Sequence, residues 1–356
     1  MGSEISIVVP IYNSKNTIER CVKSIMNQTF NDISIILVDD GSTDESYELC
    51  KRMSKEDKRI NLIHQENKGV SAARNNGIRQ ANSNYIMFVD SDDYIDLNIC
   101  KVLHEFVKKN DCDIGIVNKV FKKDNKIIKN VLYNEDSIIR QGSEKDLFSL
   151  DLFSDFFDDK MNKVQYLSCG VTAKLFKLDM IQNNKINFFE DCNYGEDVLF
   201  NLYAYEKAKK IGYYNYDGYN FIISPNSTTH KYKKNWMEYH KKFIERIDEF
   251  NKTYKKDNRF IESANMMKAT RISGLASSYF FHYDNKIKFK EKYKSYCKFI
   301  NESTYKSAIK NVNFRMLTNN QKIIIFLERV HCSIIVAIIS TIKNRKEKKL
   351  KCKKKL

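Results

Sequence analysis

The strongest constraint on how this chain can fold is the alternation, over residues 1 to about 120, of short apolar runs with stretches of helical periodicity. Runs at Ile5 to Pro10, Ile33 to Asp39, Ile60 to His64, Tyr85 to Asp90 and Ile114 to Val120 predict five strands. Between the first two, Ile18, Cys21, Val22, Ile25 and Met26 recur at the spacing i, i+3, i+4, i+7, i+8, which turns one helical stripe toward a sheet. Ser42 and Glu45 have the spacing of a capping box for the next helix, and Ile99, Leu103, Phe106 and Val107 mark the helix before the fifth strand. This succession is the signature of β-α-β units and a mostly parallel sheet.

At 356 residues the chain exceeds one average domain and is short for three, which predicts one domain of about 220 residues and an appendage. From about 121 to 165 the pattern loosens into charged, Asn-rich and Phe-rich sequence, with room for a hairpin and a helix over the site. Residues 166 to 224 return to α+β patterning. After Asn235 the chain reads as helical: Trp236, Tyr239, His240, Phe243, Ile244 and Ile247 form one stripe, and Ile272, Leu275, Ala276, Tyr279 and Phe280 another. The expected domains are residues 1–232, a helical domain at 233–320, and an apolar helix with a polybasic tail at 321–356.

Nine scattered cysteines with no Cys-x-x-Cys pair argue against a disulfide framework or a zinc site, and predict reduced thiols in the cytosol. Ile5 to Pro10 is too short for a secretory leader. Net charge is +16, and half of it is concentrated: between Lys343 and Leu356 nine Lys or Arg stand against Glu347, a net of +8. A Thr-x-x-Gln cap at Thr318 to Gln321 precedes an apolar stretch, Ile323 to Ile342, interrupted by Glu328, Arg329 and His331. Its uninterrupted part, from Ser333, spans about 15 Å as a helix, half of a bilayer core. Apolar sequence running into a basic tail points to an anionic membrane surface, with no nucleic acid as partner. The expected location is cytoplasmic, peripherally on the inner face of the cell membrane; a helix packed on the protein is the alternative for 323–342.

In open α/β sheets ligands bind beyond the carboxyl ends of the strands. Here those ends read Pro10-Ile-Tyr-Asn13, Asp39-Asp-Gly-Ser-Thr-Asp44 and Asp90-Ser-Asp-Asp93. A crevice lined by Asp39, Asp40, Asp90, Asp92 and Asp93 needs a cation, a protonated member or basic neighbours. Hard divalent ions take one or two carboxylates and complete their shell with water and substrate phosphate, a need that Asp-x-Asp at a strand end meets.

The segments Ile7-Val-Val-Pro-Ile-Tyr-Asn13, Leu37-Val-Asp-Asp-Gly-Ser-Thr-Asp44, Asn67-Lys-Gly-Val-Ser-Ala-Ala-Arg-Asn-Asn-Gly77 and Phe88-Val-Asp-Ser-Asp-Asp-Tyr94 occur in this order, followed by Gly195-Glu-Asp-Val-Leu-Phe200. With them the chain resembles a family 2 glycosyltransferase, strongly over residues 4 to 120 and out to about 230. The resemblance implies a GT-A fold, a Rossmann-like α/β domain with a helical C-terminal domain. It also implies metal-dependent, inverting transfer from a UDP-sugar to a glycan or lipid-linked acceptor, with Mn2+ or Mg2+ as cofactor, in bacterial surface-polysaccharide assembly. A homo-oligomer is left open.

Carried over residue by residue, the resemblance implies Pro10, Tyr12 and Asp40 as uridine contacts, with Asp39 beside them. Asn67 and Arg74 approach the diphosphate, where a guanidinium is a permanent bidentate donor and Gly69 lets the backbone come close. The alternative for Arg74 is a structural ion pair with the Asp cluster. Asp92 is implied as the direct metal ligand, with Ser91 in the nucleotide site and Asp90 toward the ribose or a metal-bound water. His230, in Pro225-Asn-Ser-Thr-Thr-His230, is a third metal-ligand candidate. Asp197 is the expected general base, its alternative being a carboxylate that stabilises a helix dipole. Glu196 would orient it or bind the acceptor.

Two other classes fit parts of the pattern. A phosphoacceptor receiver domain also carries strand-end Asp residues, but it leaves the Asn67 to Gly77 segment and the chain's length unexplained. A catalytically inactive sugar-nucleotide-binding scaffold would keep the first motifs with no need of Asp197.

Overall fold

The structure, a computed structural model, describes residues 2–123, 126–154, 169–223, 232 and 235–353. The chain folds as two compact units, residues 1–152 with 163–225, and residues 153–162 with 226–356. Up to Ile222 the elements are β1 (Ile5–Ile11), α1 (Ile18–Met26), β2 (Ile33–Asp39), α2 (Ser46–Glu56), β3 (Ile60–His64), α3 (Val70–Gln80), β4 (Tyr85–Phe88), β5 (Tyr94–Ile95), α4 (Ile99–Asn110) and β6 (Ile114–Lys123). They continue with β7 (Lys126–Asn130), β8 (Ser137–Gln141), α5 (Asp146–Ser154), β9 (Lys174–Lys177), α6 (Leu178–Asn183), α7 (Glu196–Lys207) and β10 (Lys210–Ile222).

The five predicted strands are β1, β2, β3, β4 and β6. The strand before the Asp-Ser-Asp-Asp segment stops at Phe88, because Asp90 to Asp93 close into a turn in which the Asp93 N–H donates to the Asp90 carbonyl at 3.0 Å. Sheet order is β3-β2-β1-β4-β9-β6-β10-β5, with β7 on β6 and β8 on β10. The first four strands pair parallel, as do β6 and β10, but β9 lies antiparallel between β4 and β6. The sheet is therefore mixed where a mostly parallel one was expected: its central antiparallel strand comes from a four-residue run, Lys174–Lys177, far from the repeating segment.

The α1 stripe buries Ile18, Cys21, Val22 and Ile25 as its spacing predicts, each large side chain contributing about 1.5–3 kcal/mol when taken fully from water. The expected Ser42–Glu45 capping box is absent. Ser42 is engaged elsewhere, its Oγ accepting the Asn13 N–H at 3.0 Å; Glu45 is the N-cap of α2 with no side-chain cap bond, and Asp44, the residue before it, accepts the Ser46 N–H on Oδ1 at 3.0 Å. The loose region contains the hairpin of β6 and β7, then β8 and α5.

The second unit carries α8 (Trp236–Thr253), α9 (Asn258–Leu275), α10 (Phe289–Ile300), α11 (Ser303–Asn311), α12 (Asn319–Arg329) and α13 (Ser333–Lys353). His240, Phe243, Ile244 and Ile247 are buried along α8. The Thr318–Gln321 capping box is formed, with both reciprocal bonds present at 3.3 and 2.9 Å. The apolar stretch 323–342 is split into α12 and α13 at His331, which adopts φ 59. Among the described residues no helix is long and apolar enough to cross a membrane.

Candidate active site

Because β1, β2 and β4 are parallel neighbours, their carboxyl ends stand side by side and bring three polar segments together. Hydrogen bonds lock them: Asn13 Oδ1 accepts the Thr43 N–H at 2.8 Å, Ser14 N–H donates to Ser46 Oγ at 2.7 Å, and Ser14 and Ser91 share a hydroxyl bond at 2.7 Å. Pro10 is buried within β1, and Tyr12, two residues on, is 51% exposed.

The two carboxylates that end β2 have different fates. Asp40, buried, accepts hydrogen bonds from the Gly69 N–H at 2.8 Å, the Lys68 N–H at 2.9 Å and Gln65 Nε2 at 2.8 Å. Its charge pins the turn that carries Asn67, which is exposed. Gly69 closes this turn at φ 90, a conformation that favours glycine, and is the N-cap of α3. Asp39 is fully buried; its Oδ2 bonds His64 Nδ1 at 2.7 Å, while Oδ1 is buried with no partner. An acceptor left unsatisfied in this way costs about 1–3 kcal/mol, whereas both oxygens of Asp40 have partners.

Arg74 of α3 is the hub of the site. Its side chain is 4% exposed, with Nη2 donating to Asp90 Oδ1 at 2.8 Å and Nη1 to Asp197 Oδ1 at 2.7 Å, while Glu196 stands at 4.0 Å. Burial works against its charge, but Asp197, Asp90 and Glu196 outweigh that and raise its pKa. Both terminal nitrogens are thus used on carboxylates. The next residue, Asn75, bonds Glu190 Oε1 and the Phe188 carbonyl, each at 2.9 Å, and so fastens the segment that leads into α7. Gly195, at φ 71, then turns the chain so that Glu196 and Asp197 open that helix, where its dipole favours negative charge. Burial, reinforced by the adjacent Asp197 charge, pushes the Glu196 carboxyl up to about 7.

Two residues outside the motifs complete the floor. The Tyr219 hydroxyl of β10 accepts the Asp90 N–H at 3.1 Å and donates to Asp93 Oδ2 at 2.8 Å. Asp93, fully buried and also bonded by the Ile222 N–H, faces the interior rather than the crevice. Lys119 of β6 is 4% exposed; burial lowers its pKa against the pull of Asp90, Asp93 and Asp197. A Cβ on Gly170 would stand 2.7 Å from Lys119 Nζ and 3.8 Å from Asp197 Oδ2, so ammonium and carboxylate flank one small space. The only signal for Lys119 in the sequence is a lysine inside the apolar run Ile114 to Val120, where its surroundings cannot be read.

Asp90 and Asp92 suit a hard divalent cation. Partial desolvation and the neighbouring Asp90 charge raise the Asp92 carboxyl above its ordinary value, although the residue still opens to solvent. Among the described residues no other residue donates a hydrogen bond to that carboxylate, whereas Arg20 binds the Asp92 backbone carbonyl at 2.6 Å. Among the described residues no group of three His, Cys, Asp or Glu forms a metal cage. A one- or two-carboxylate site completed by water and phosphate is the arrangement Mg2+ ordinarily takes. His230 lies outside the described residues.

Comparison with known proteins agrees with this architecture. Residues 6–169 match the family described as glycosyl transferase family 2. The chain is 32% identical over 237 residues to the glycosyltransferase GlyA of Streptococcus pneumoniae serotype 4, covering 67% of this chain and 33% of that protein. It is 33% identical over 236 residues to the uncharacterized glycosyltransferase EpsJ of Bacillus subtilis, covering 66% of each. The chain thus spans between a third and just under two thirds of these relatives' lengths. S. aureus TarS 1–349, in a crystal structure with UDP-GlcNAc, shares the fold with a TM-score of 0.66 at 18% identity, covering 97% of this chain and 92% of that one.

Proposed function

The chain belongs to glycosyl transferase family 2 and has a GT-A fold, and from that premise we propose that it moves a sugar, with inversion, from a UDP-sugar to a hydroxyl of a surface-polysaccharide or lipid-linked acceptor. The observation that carries the reading is Arg74. One buried guanidinium joins Asp90 of the strand-end turn to Asp197 at the head of α7, residues 16 and 123 positions away in the chain. A scaffold that only held a nucleotide would have no use for that second carboxylate.

In this reading the exposed Tyr12 ring stacks on the base over Pro10, and Asp39, buried beneath the strand end, supports the base site through His64 and the Ser42 N–H. Asp40 acts through the turn it pins, holding Asn67 and the start of α3 toward the diphosphate. Asp90 and Asp92 would hold Mn2+ or Mg2+, with Ser91 fixing the turn between them through Ser14. Such an ion, when bound, supplies positive charge to the departing diphosphate. Arg74 keeps Asp90 and Asp197 in register. Asp197 spends Oδ1 on Arg74 and keeps Oδ2 to take the proton of the acceptor hydroxyl, whose oxygen forms the new bond to the anomeric carbon as the bond to UDP breaks. A lipid-linked acceptor places the chain at the inner face of the cell membrane, where the +8 segment 343–356 meets anionic lipid.

The test is a screen of nucleotide sugars for UDP release, with and without Mn2+ and with and without candidate acceptors. Release that requires both a uridine donor and metal supports the proposal. Donor binding with no turnover under any condition would replace it with the scaffold reading.

A further inference from the structure

We infer that the outward apolar faces of α12 and of the first turns of α13 seat in the interface of an anionic bilayer as a ridge, with the basic residues of 343–356 holding the headgroups. This names the lipid contact for the membrane placement proposed above and rests on it. On α13 the inward stripe is Val336, Ala337, Ser340 and Asn344, all buried, and Asn344 Nδ2 donates to the Ser277 carbonyl at 2.8 Å. The helix is therefore anchored to its own unit along one side. Its other side presents Ile335, Ile338, Ile339 and Ile342, 42–49% exposed, and α12 adds Ile323 and Phe326 at 55% and 56%. Ile335, Ile338, Ile339 and Ile342 recur at i, i+3, i+4 and i+7 and so share one face of α13, and contiguous apolar surface of this kind is rarely left to water.

In the sequence this stretch is broken by charge, and the fold removes that charge from the ridge. Glu328 is turned inward, accepting hydrogen bonds from the Tyr296 hydroxyl at 2.6 Å and from Ser333 Oγ at 2.5 Å, in surroundings that raise its carboxyl. Arg329 is folded back on the end of α11, donating to the carbonyls of Ile309 at 2.7 Å, Lys310 at 2.9 Å and Val312 at 3.0 Å. An anionic surface thus meets isoleucine and phenylalanine, and then nine Lys or Arg against one Glu in residues 343–356. A second copy of the chain is the rival occupant. A symmetric pair would set two +8 segments beside the same interface and repel, whereas anionic lipid is attracted to both features. The apolar part of α13 is about 15 Å long, which suits a helix lying in the interface.

The experiment uses the full chain and sedimentation with vesicles of phosphatidylglycerol and phosphatidylcholine, and of phosphatidylcholine alone. Binding is expected to the mixed vesicles and to weaken with salt. The variant Ile335→Ser/Ile339→Ser should lower partition by at least about tenfold and leave the salt dependence in place. The variant Lys348→Gln/Lys349→Gln/Lys351→Gln should lower it about a hundredfold at low salt, each basic residue near the surface being worth about fivefold, and should flatten the salt dependence. Unchanged melting temperatures show that both variants are folded, and UDP release from a soluble donor should match wild type. Equal partition by the isoleucine variant overturns the ridge, as does a wild-type dimer in sedimentation velocity that this variant dissociates. Vesicle binding without transferase activity would remove the functional reading and leave the ridge; activity without vesicle binding would do the reverse.

Discussion

Replacing Asp197 by Asn should separate chemistry from binding. The variant keeps a carbonyl oxygen for Arg74 Nη1, bonded at 2.7 Å in the wild type, but it cannot take a proton. A positioned general base contributes about 10²- to 10⁴-fold, so acceptor-dependent transfer should fall by at least the lower figure. Removing one partner of a buried ion pair costs about 3–5 kcal/mol when it strands the other charge. Arg74 is not stranded, because Asp90 remains at 2.8 Å and Glu196 at 4.0 Å, and the repulsion between Glu196 and Asp197 disappears. The stability loss should therefore be about 1–2 kcal/mol, a few degrees in Tm for a domain of this size. The assay pairs acceptor-dependent turnover with calorimetric binding of the UDP-sugar to the same variant, where Kd should move by less than about threefold. Near-normal transfer would refute the assignment and move the base elsewhere, with Glu196 next in line. Loss of donor binding would place Asp197 in the nucleotide site.

Asp92→Ala should abolish metal-dependent donor turnover, with EDTA reproducing the effect; wild-type transfer at full rate in excess chelator would refute the roles given to Asp90 and Asp92. Asp39→Asn removes the charge that holds His64 beneath the strand end, so UDP should bind about 10-fold more weakly; unchanged UDP affinity in titration calorimetry would sink that supporting role. Glu196 holds its proton to about pH 7, against an ordinary 4.5, so between these values the unfolded chain ionises first and wild-type stability should fall as pH rises. Glu196→Gln should remove that slope, which thermal melts across pH 4.5 to 7 would detect; parallel curves for both proteins would refute it.

The strands and α1 could be read without coordinates because their information is local: apolar runs and a 3.6-residue period encode which face is buried. The Thr318–Gln321 cap was readable for the same reason, since both partners lie within one turn. The Ser42–Glu45 spacing misled because a distant residue, Asn13, competes for the Ser42 hydroxyl, and no local rule contains that competition. The strand-end carboxylates could be named from the sequence as a cluster, since parallel strands oblige their ends to meet. Which of them has an oxygen to spare could not. Asp40 is consumed by amides 28 and 29 positions away, and Asp39 keeps Oδ1 free because His64, from the neighbouring strand, occupies only Oδ2. Likewise the sequence alone shows a lysine in β6 and an arginine in α3, but only the tertiary structure brings Lys119 and Arg74 to carboxylates from other segments. It alone turns Glu328 and Arg329 away from the isoleucine face of α13. Periodicity is a property of neighbours along the chain; hydrogen-bond partners and burial are decided by groups that the chain brings together from far apart.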